Sequence, residues 1–81
     1  MALETRDGRP LTESEERVLA GLVREQTAAQ IAAELNLSLG TVKAQLSSIY
    51  RRLGVRGRQG AVLHAVQRGW ATAAGEWRGI P

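Results

Sequence analysis

The sequence has no cysteine, no phenylalanine, one histidine and two prolines in 81 residues. Without cysteine there is no disulfide, thiolate zinc site or thiol nucleophile. A single histidine, His64, cannot assemble a metal cluster, and no apolar run approaches the roughly 20 residues of a membrane span. The first ten residues also lack the apolar core of a signal peptide. We therefore expect a cytoplasmic chain with no metal, no cofactor and no membrane contact.

Strand signals are missing as well. Proline occurs only at Pro10 and Pro81, and helix-favouring alanine, leucine, glutamate, glutamine and arginine dominate the segment between them. A chain of this length holds one domain with a modest core. The composition therefore predicts a single small all-α domain.

Positive charge is concentrated in the second half of the chain. Residues 1–34 carry four arginines and seven acidic residues, whereas residues 35–75 carry six basic residues and no acid. Such a segment forms a positive surface that suits a polyanion, or simply a solvated basic face. Charge alone does not separate the two interpretations.

Two capping boxes mark the first two helices. Thr12 is followed three residues later by Glu15, and Thr27 by Gln30, so that each pair can satisfy exposed amides at a helix start. Apolar side chains recur at helical spacing after both boxes and again in two later segments. The sequence predicts four helices, at about residues 12–24, 27–36, 39–53 and 58–69.

The third predicted helix has one apolar face. Ser38 is suited to cap its start and Gly54 to end it. Its inward stripe consists of Val42, Leu46, Ile49 and Leu53. Only three residues separate this helix from the second, and Leu37 in that turn is the apolar side chain expected to fix the angle between the two. Two helices joined in this way form a helix-turn-helix.

The opposite face of the third helix contains no acid. The outward residues are Gly40, Thr41, Lys43, Ala44, Gln45, Ser47, Ser48 and Arg51. Small residues allow close approach, and the donors among them suit phosphates and base edges. Taken singly, each residue also fits a helix cap or a solvated face, but together with the short turn and the acid-free half they favour DNA binding. Tyr50 borders the stripe and is expected to be partly buried, while Arg52 is ambiguous.

Many of these positions form an ordered string along the chain. They are Leu11-Thr12, Glu15, Val18-Leu19, Ile31-Ala32, Leu35, Ser38, Thr41-Val42-Lys43, Leu46, Ile49-Tyr50, Leu53-Gly54-Val55, Arg58 and Ala61. The string resembles the LuxR-type (GerE-type) helix-turn-helix domain of bacterial transcriptional regulators and is far more specific than a bare helix-turn-helix. It implies a four-helix domain over residues 11–70. The flanking segments, 1–10 and 71–81, show no periodicity and are expected to be a flexible N-terminal segment and a loose or weakly docked C-terminal tail.

The resemblance implies that the third helix enters the major groove of double-stranded DNA. By position, Lys43, Ala44 and Ser47 match the base-reading residues of the family. The positions that match contacts near the phosphate backbone are Ser38, Thr41, Gln45 and Arg51. In such regulators the domain is commonly the C-terminal output part, and RNA polymerase is a candidate partner.

The start of the second helix departs from the family pattern. Glu25 and Gln26 stand where the family usually has a glycine and an apolar residue. Ala28 and Ala29 replace the usual polar or basic pair. The second helix is therefore expected to grip phosphate less than in relatives. More of the affinity is expected from Lys43, Arg51, Arg56 and Arg58.

The fourth helix is a candidate dimer seam, because in the family it often forms a two-fold dimer on DNA. The candidate residues are Leu63, Val66, Gln67 and Trp70. Alternatively, Val66 and Trp70 complete the core of the monomer. Gly57 and Gly60 are expected to weaken the start of this helix, since glycine disfavours helix interiors, and His64 most simply lies on its surface.

Three other classes of protein compete with a DNA-binding regulator. An enzyme is disfavoured by the absence of cysteine, the single histidine and the absence of a glycine-rich phosphate loop after a strand. A promoter-recognition domain of a sigma factor shares the Ser-x-Gly-Thr-Val-Lys pattern of residues 38–43, but it normally ends with its recognition helix. A protein-interaction module that has kept the fold and lost DNA binding, as an anti-regulator would, fits the depleted second helix but not the acid-free third.

Overall fold

Four α-helices form the framework of residues 10–81, the part of the chain that the computed structural model describes. They are α1 (Glu13–Val23), α2 (Ala28–Leu35), α3 (Leu39–Leu53) and α4 (Arg58–Gln67). The described residues contain no strand, only an isolated antiparallel bridge between Ala71 and Trp77. Within the same residues, no helix has the length and apolar character needed to cross a membrane. The predicted all-α fold with four helices is confirmed, and the expected flexible segment at 1–10 lies, apart from Pro10, outside the described residues.

Side chains cap α1 and α2 where the sequence predicts. The Glu15 amide donates to Thr12 Oγ1 at 3.1 Å, and the Thr12 amide donates to Glu15 Oε1 at 2.9 Å. Thr27 and Gln30 form the same reciprocal pair at 3.1 and 2.8 Å. Both capping boxes are therefore confirmed, and each begins its helix at the predicted position.

The core is assembled from one face of each helix. Its largest fully buried side chains are Leu11, Val18, Leu19, Leu22, Ile31, Val42 and Ile49. In the predicted stripe of α3, Val42 and Ile49 are fully buried, while Leu46 and Leu53 are half-buried against the same cluster. Leu37 packs there too, as its place in the turn predicts. Because α1, α2 and α4 all contact α3, its position is set from one side and its other side stays open.

A glycine sets the separation of α1 and α2. Gly21 is buried in the second half of α1, and a Cβ atom built on it would lie 2.6 Å from Ile31 Cγ1. Non-bonded carbon atoms prefer about 3.5–4.0 Å. The side chain of Ile31 therefore packs on bare backbone, and α2 approaches α1 more closely than any larger residue would allow.

The C-terminal segment, residues 70–81, packs on the helices, so of the two arrangements expected for residues 71–81, loose or weakly docked, the loose one does not apply. Trp70, Ala71 and Ile80 are at most 8% exposed and belong to the core cluster, and Trp77 packs against it. The segment shows no helical period because it is an irregular turn closed by the bridge between Ala71 and Trp77. Its two tryptophans and one isoleucine nevertheless supply a large apolar area to bury.

Candidate nucleic-acid interface

The face of α3 opposite the core carries the predicted base-reading residues. Lys43, Ala44 and Ser47 are all exposed. Three other residues predicted to face outward are exposed with them: Gly40, Thr41 and Arg51. No acidic residue occurs in α3. The structure thus brings small and hydrogen-bonding side chains together on one surface, which we call the α3 face.

Ser38 and Thr41 form the start of α3. Ser38 Oγ accepts from the Thr41 amide at 3.0 Å and donates to Thr41 Oγ1 at 2.9 Å. The predicted cap is therefore confirmed. Both side chains are exposed, and they lie at the positive end of the helix dipole, where a phosphate is favoured. Their contact with a DNA backbone stays a prediction.

Two polar side chains of α3 turn towards α1. Gln45 is half-buried, and its Nε2 donates to Ser14 Oγ at 3.0 Å while its Oε1 accepts from the same hydroxyl at 3.2 Å. Ser48 is also half-buried and donates to Glu15 Oε2 at 2.7 Å. The expectation that Ser48 faces outward is wrong, because α1 supplies a carboxylate within hydrogen-bonding distance. Gln45 lies at the edge where α1 meets α3, and its contact with phosphate stays a prediction.

Glu15 ties α1 to the middle of α3. It is 6% exposed, and no other charged side chain among the described residues is as deeply buried. Its Oε1 accepts from the Thr12 amide, and its Oε2 accepts from Ser48 and lies 3.5 Å from Arg52 Nε. Arg52 Nε in turn donates to Ser48 Oγ at 3.4 Å. The cap of α1 and the orientation of α3 therefore depend on the same carboxylate.

The sequence alone predicts the role of Glu15 in the cap of α1 but not its contact with α3. The capping-box spacing identifies Glu15, whereas its partner Ser48 lies 33 positions further along the chain. A usable signal is that Gln45, Ser48 and Arg52 recur at three- and four-residue intervals beside the apolar stripe. Such a polar flank indicates that a neighbouring helix supplies partners on that side.

The remaining predicted backbone contacts are arginines at the end of α3 and beyond it. Arg51 and Arg56 are exposed. Arg58 is exposed as well, and its Nη2 donates to the carbonyl oxygen of Gln26, in the loop before α2. It is the first residue of α4, which lacks a side-chain cap because Gly57 precedes it. Arg58 thus joins α4 to the α1–α2 loop, a role that the sequence does not predict.

Acidic side chains collect on a different surface. A groove of about 440 Å³ runs between α1, α2 and Trp77. Its charged lining consists of Glu13, Glu16, Glu34, Arg17 and Arg24. No residue of α3 lines this groove. The three carboxylates of this surface, which we call the acidic groove, therefore lie away from the α3 face.

Comparison with known proteins identifies the domain. Residues 9–65 match the family model for bacterial regulatory proteins of the luxR family, also called GerE. The chain belongs to the LuxR family. This membership places it among the DNA-binding regulatory domains and confirms the resemblance identified in its residues.

Individual relatives agree with this assignment. The HTH-type transcriptional regulators MalT of Klebsiella pneumoniae and of Cronobacter sakazakii are each 41% identical over 58 residues, which is 72% of this chain. The chain spans 6% of the length of these relatives. A solved structure of the transcription factor GerE has a TM-score of 0.69 and 33% identity, and the match covers 74% of this chain and 90% of that one. The LuxR-type four-helix fold is therefore shown by both sequence and structure.

One departure from the LuxR-type pattern falls on an unusual backbone position. Glu25 has a φ angle of 65°, in the left-handed region that glycine enters without steric cost. The resemblance places a glycine here in most of the family, and the backbone geometry gives the reason. Nearby, Ala28 is half-buried and Ala29 exposed, so neither of the first two residues of α2 has a polar side chain that could hold phosphate. The weaker grip of α2 stays a prediction.

The α4 helix of the LuxR-type domain exposes only part of the predicted dimer seam. Leu63 is 56% exposed and Gln67 is exposed, whereas Val66 is half-buried. Trp70 is 6% exposed and belongs to the core of the monomer. Of the two interpretations of this helix, completion of the core therefore applies to Trp70, and Val66 packs against the same core cluster. Leu63 and Gln67 are the residues that remain available at the surface.

His64 lies between the surface and the core. It is half-buried, and its ring centroid lies 5.4 Å from a ring of Trp70. The expectation of a simple surface position is therefore wrong, because the C-terminal segment folds back beside α4. Burial lowers the pKa of His64, and the positive charge of Arg68 lowers it further.

Proposed function

We propose that this LuxR-type domain binds double-stranded DNA sequence-specifically, with α3 in the major groove, in a bacterial transcriptional regulator of the cytoplasm. The observation that carries the proposal is the exposed, acid-free α3 face. Lys43 and Ser47 supply donors for base edges, and Ala44 between them adds little bulk to hinder close approach. The core behind α3 and Glu15 beside it support a fixed orientation, which base recognition requires.

Contacts with the phosphate backbone would come from both ends of α3. Ser38 and Thr41 lie at its start, Gln45 at the edge shared with α1, and Arg51 in its last turn. Beyond the helix, the exposed side chains of Arg56 and Arg58 add two positive charges. Cations that neutralise phosphates release counterions, so affinity should fall steeply with rising salt concentration.

We also propose that the domain acts as a homodimer on DNA through α4. The exposed Leu63 and the neighbouring Gln67 support this, since in the monomer α4 buries Ala61 and Ala65 on its other side. A two-fold contact of this kind would place two copies of α3 on half-sites of an inverted repeat, about one helical turn apart. RNA polymerase is a further proposed partner of the whole regulator.

Selection of bound sites from random duplex DNA, followed by titration of variants on the selected site, tests the proposal. Lys43→Ala should lose discrimination at particular base pairs, because it removes a donor to base edges. Arg51→Ala should weaken binding to all sequences similarly and reduce the salt slope by about one. Arg24→Ala is the matched control: it removes one exposed positive charge just after the last residue of α1, beside the acidic groove, and should change neither base preference nor salt slope.

Two outcomes would contradict the proposal. If Lys43→Ala and Arg51→Ala bind selected and random duplexes as tightly as the parent, α3 is not the recognition helix. A selected site that lacks an inverted repeat and binds one copy would remove the dimer and leave DNA recognition by the monomer.

A further inference from the structure

Leu39 is an exposed apolar side chain at the start of the recognition helix. It is the first residue of α3 and is 43% exposed. Among the described residues, only Leu39 and Leu63 are large hydrophobic side chains with such exposure. Leu39 belongs neither to the core cluster nor to the partly buried side chains that pack against it. The stability of the monomer therefore gives no reason for leucine at this position.

The position of Leu39 places it with the predicted base-reading residues. Leu39, Lys43 and Ser47 follow one another at four-residue intervals, so they form one row along the exposed side of α3. Helical side chains point towards the N-terminus of their helix, and Leu39 therefore leads this row. Its neighbour Gly40 leaves the approach open, since a Cβ atom built there would meet only Ser38 Oγ, at 4.0 Å.

We infer that Leu39 recognises a thymine through the C5-methyl group of that base in the major groove; this inference rests on the proposed function. A leucine side chain cannot donate or accept a hydrogen bond, so it discriminates among bases only by apolar contact. Thymine alone presents a methyl group on the major-groove edge, whereas the other bases present donors and acceptors. Burying Leu39 against that methyl removes apolar area of both partners from water. Lys43 and Ser47 supply hydrogen bonds, and Leu39 adds an apolar contact to the same row.

Replacement of thymine by deoxyuridine tests this contact, because it removes only the methyl group. Each thymine of the selected duplex is replaced in turn, and dissociation constants are measured for the parent chain and for Leu39→Ala. For the parent we expect one thymine whose replacement weakens binding by about three- to fivefold, the value for one buried methyl group. For Leu39→Ala, the same replacement should cost nothing further. Leu39→Met, which substitutes an unbranched apolar side chain of similar volume, should retain most of the loss in affinity.

The outcomes separate this inference from the proposed function. If the parent binds the selected duplex specifically but tolerates deoxyuridine at every position, the Leu39 contact does not exist and DNA recognition stands. The inference is also overturned if deoxyuridine raises the dissociation constant of Leu39→Ala by the same factor as that of the parent. Failure of the parent to discriminate between selected and random duplexes would instead remove the proposed function. Urea unfolding of Leu39→Ala should have the same midpoint as that of the parent, as expected for an exposed position.

Discussion

Replacement of Glu15 by glutamine should loosen the hold of α1 on the recognition helix. Glutamine has the same shape as glutamate, so it can keep one acceptor oxygen. Because glutamine has only one acceptor oxygen, it cannot accept from the Thr12 amide on one oxygen and from the Ser48 hydroxyl on a second. Beside Arg52 it also places a neutral amide instead of a negative charge. The substitution therefore changes the polar link while leaving the apolar packing of α1 in place.

The size of the effect follows from burial and contact geometry. The side chains of Glu15 and Arg52 are 8% and 23% exposed, and the two groups lie 3.5 Å apart. A hydrogen bond to a charged group contributes about 1.5–3 kcal/mol, and the desolvation of the carboxylate offsets part of the ionic attraction. We expect Glu15→Gln to lower the free energy of unfolding by about 1.5–2.5 kcal/mol. Ser48→Ala should cost about 1 kcal/mol alone and less when Glu15 is already replaced.

Urea denaturation followed by circular dichroism measures these changes. Glu13→Gln is the matched control, because Glu13 is a glutamate of the same first turn whose side chain is 86% exposed and pairs with Arg17 at 3.7 Å. An exposed pair of this kind contributes about 0–1 kcal/mol. Equal losses for Glu15→Gln and Glu13→Gln would refute the conclusion that a buried carboxylate holds α3 against α1.

Three further substitutions test other features of the fold. Gly21→Ala should destabilise the domain by about 1 kcal/mol in urea denaturation, because the clash with Ile31 (about 1–3 kcal/mol) exceeds the gain in helix propensity. Gly40→Ala is the control: the space around its Cβ is open, so it should be neutral or stabilising. Equal effects of the two substitutions would contradict the close packing of α1 on α2. Glu25→Gly should stabilise by about 0.5–1 kcal/mol by relieving a left-handed backbone, since that cost exceeds the entropy that glycine adds to the unfolded chain, and a lower midpoint would show that the strain is absent. The lowered pKa of His64 means that the folded chain favours the neutral ring. The free energy of unfolding should thus be highest above the unfolded pKa, and should fall as pH drops below about 6.5 until the lower folded pKa is passed. His64→Gln should remove this part of the decline between pH 7.5 and 5.5, and an unchanged pH profile would exclude His64 as its source.

Features that depend on a few neighbouring residues were predictable from the sequence. The capping boxes at Thr12 and Thr27 and the stop at Gly54 involve partners within four positions, so their spacing alone identifies them. The apolar stripe of α3 has a helical period, so its buried centre at Val42 and Ile49 also follows from the sequence. Lys43, Ala44 and Ser47 lie outside this stripe, so their exposure follows from its position.

Features that depend on how the helices meet were not predictable in the same way. Because Gly21 has no side chain, Ile31 can pack directly on its backbone, and no hydrophobic pattern in the sequence indicates such a contact. Ser48 lies at the flank of α3, and its side chain would face solvent if α1 did not pack there and place the Glu15 carboxylate within hydrogen-bonding distance. The C-terminal segment has no period, and its two tryptophans, Trp70 and Trp77, reveal their packing only once the helices form a surface to receive them.

An NMR titration of the chain with its selected duplex tests most directly whether α3 binds DNA. Amide and side-chain shifts should change along the α3 face, from Ser38 through Lys43 and Ser47 to Arg51, and intermolecular contacts should join Lys43 and Ser47 to base protons in the major groove. The acidic groove around Glu34 should show little change. If the largest changes occur around that groove while residues 38–51 keep their shifts, α3 does not enter the DNA and the account of this domain is wrong.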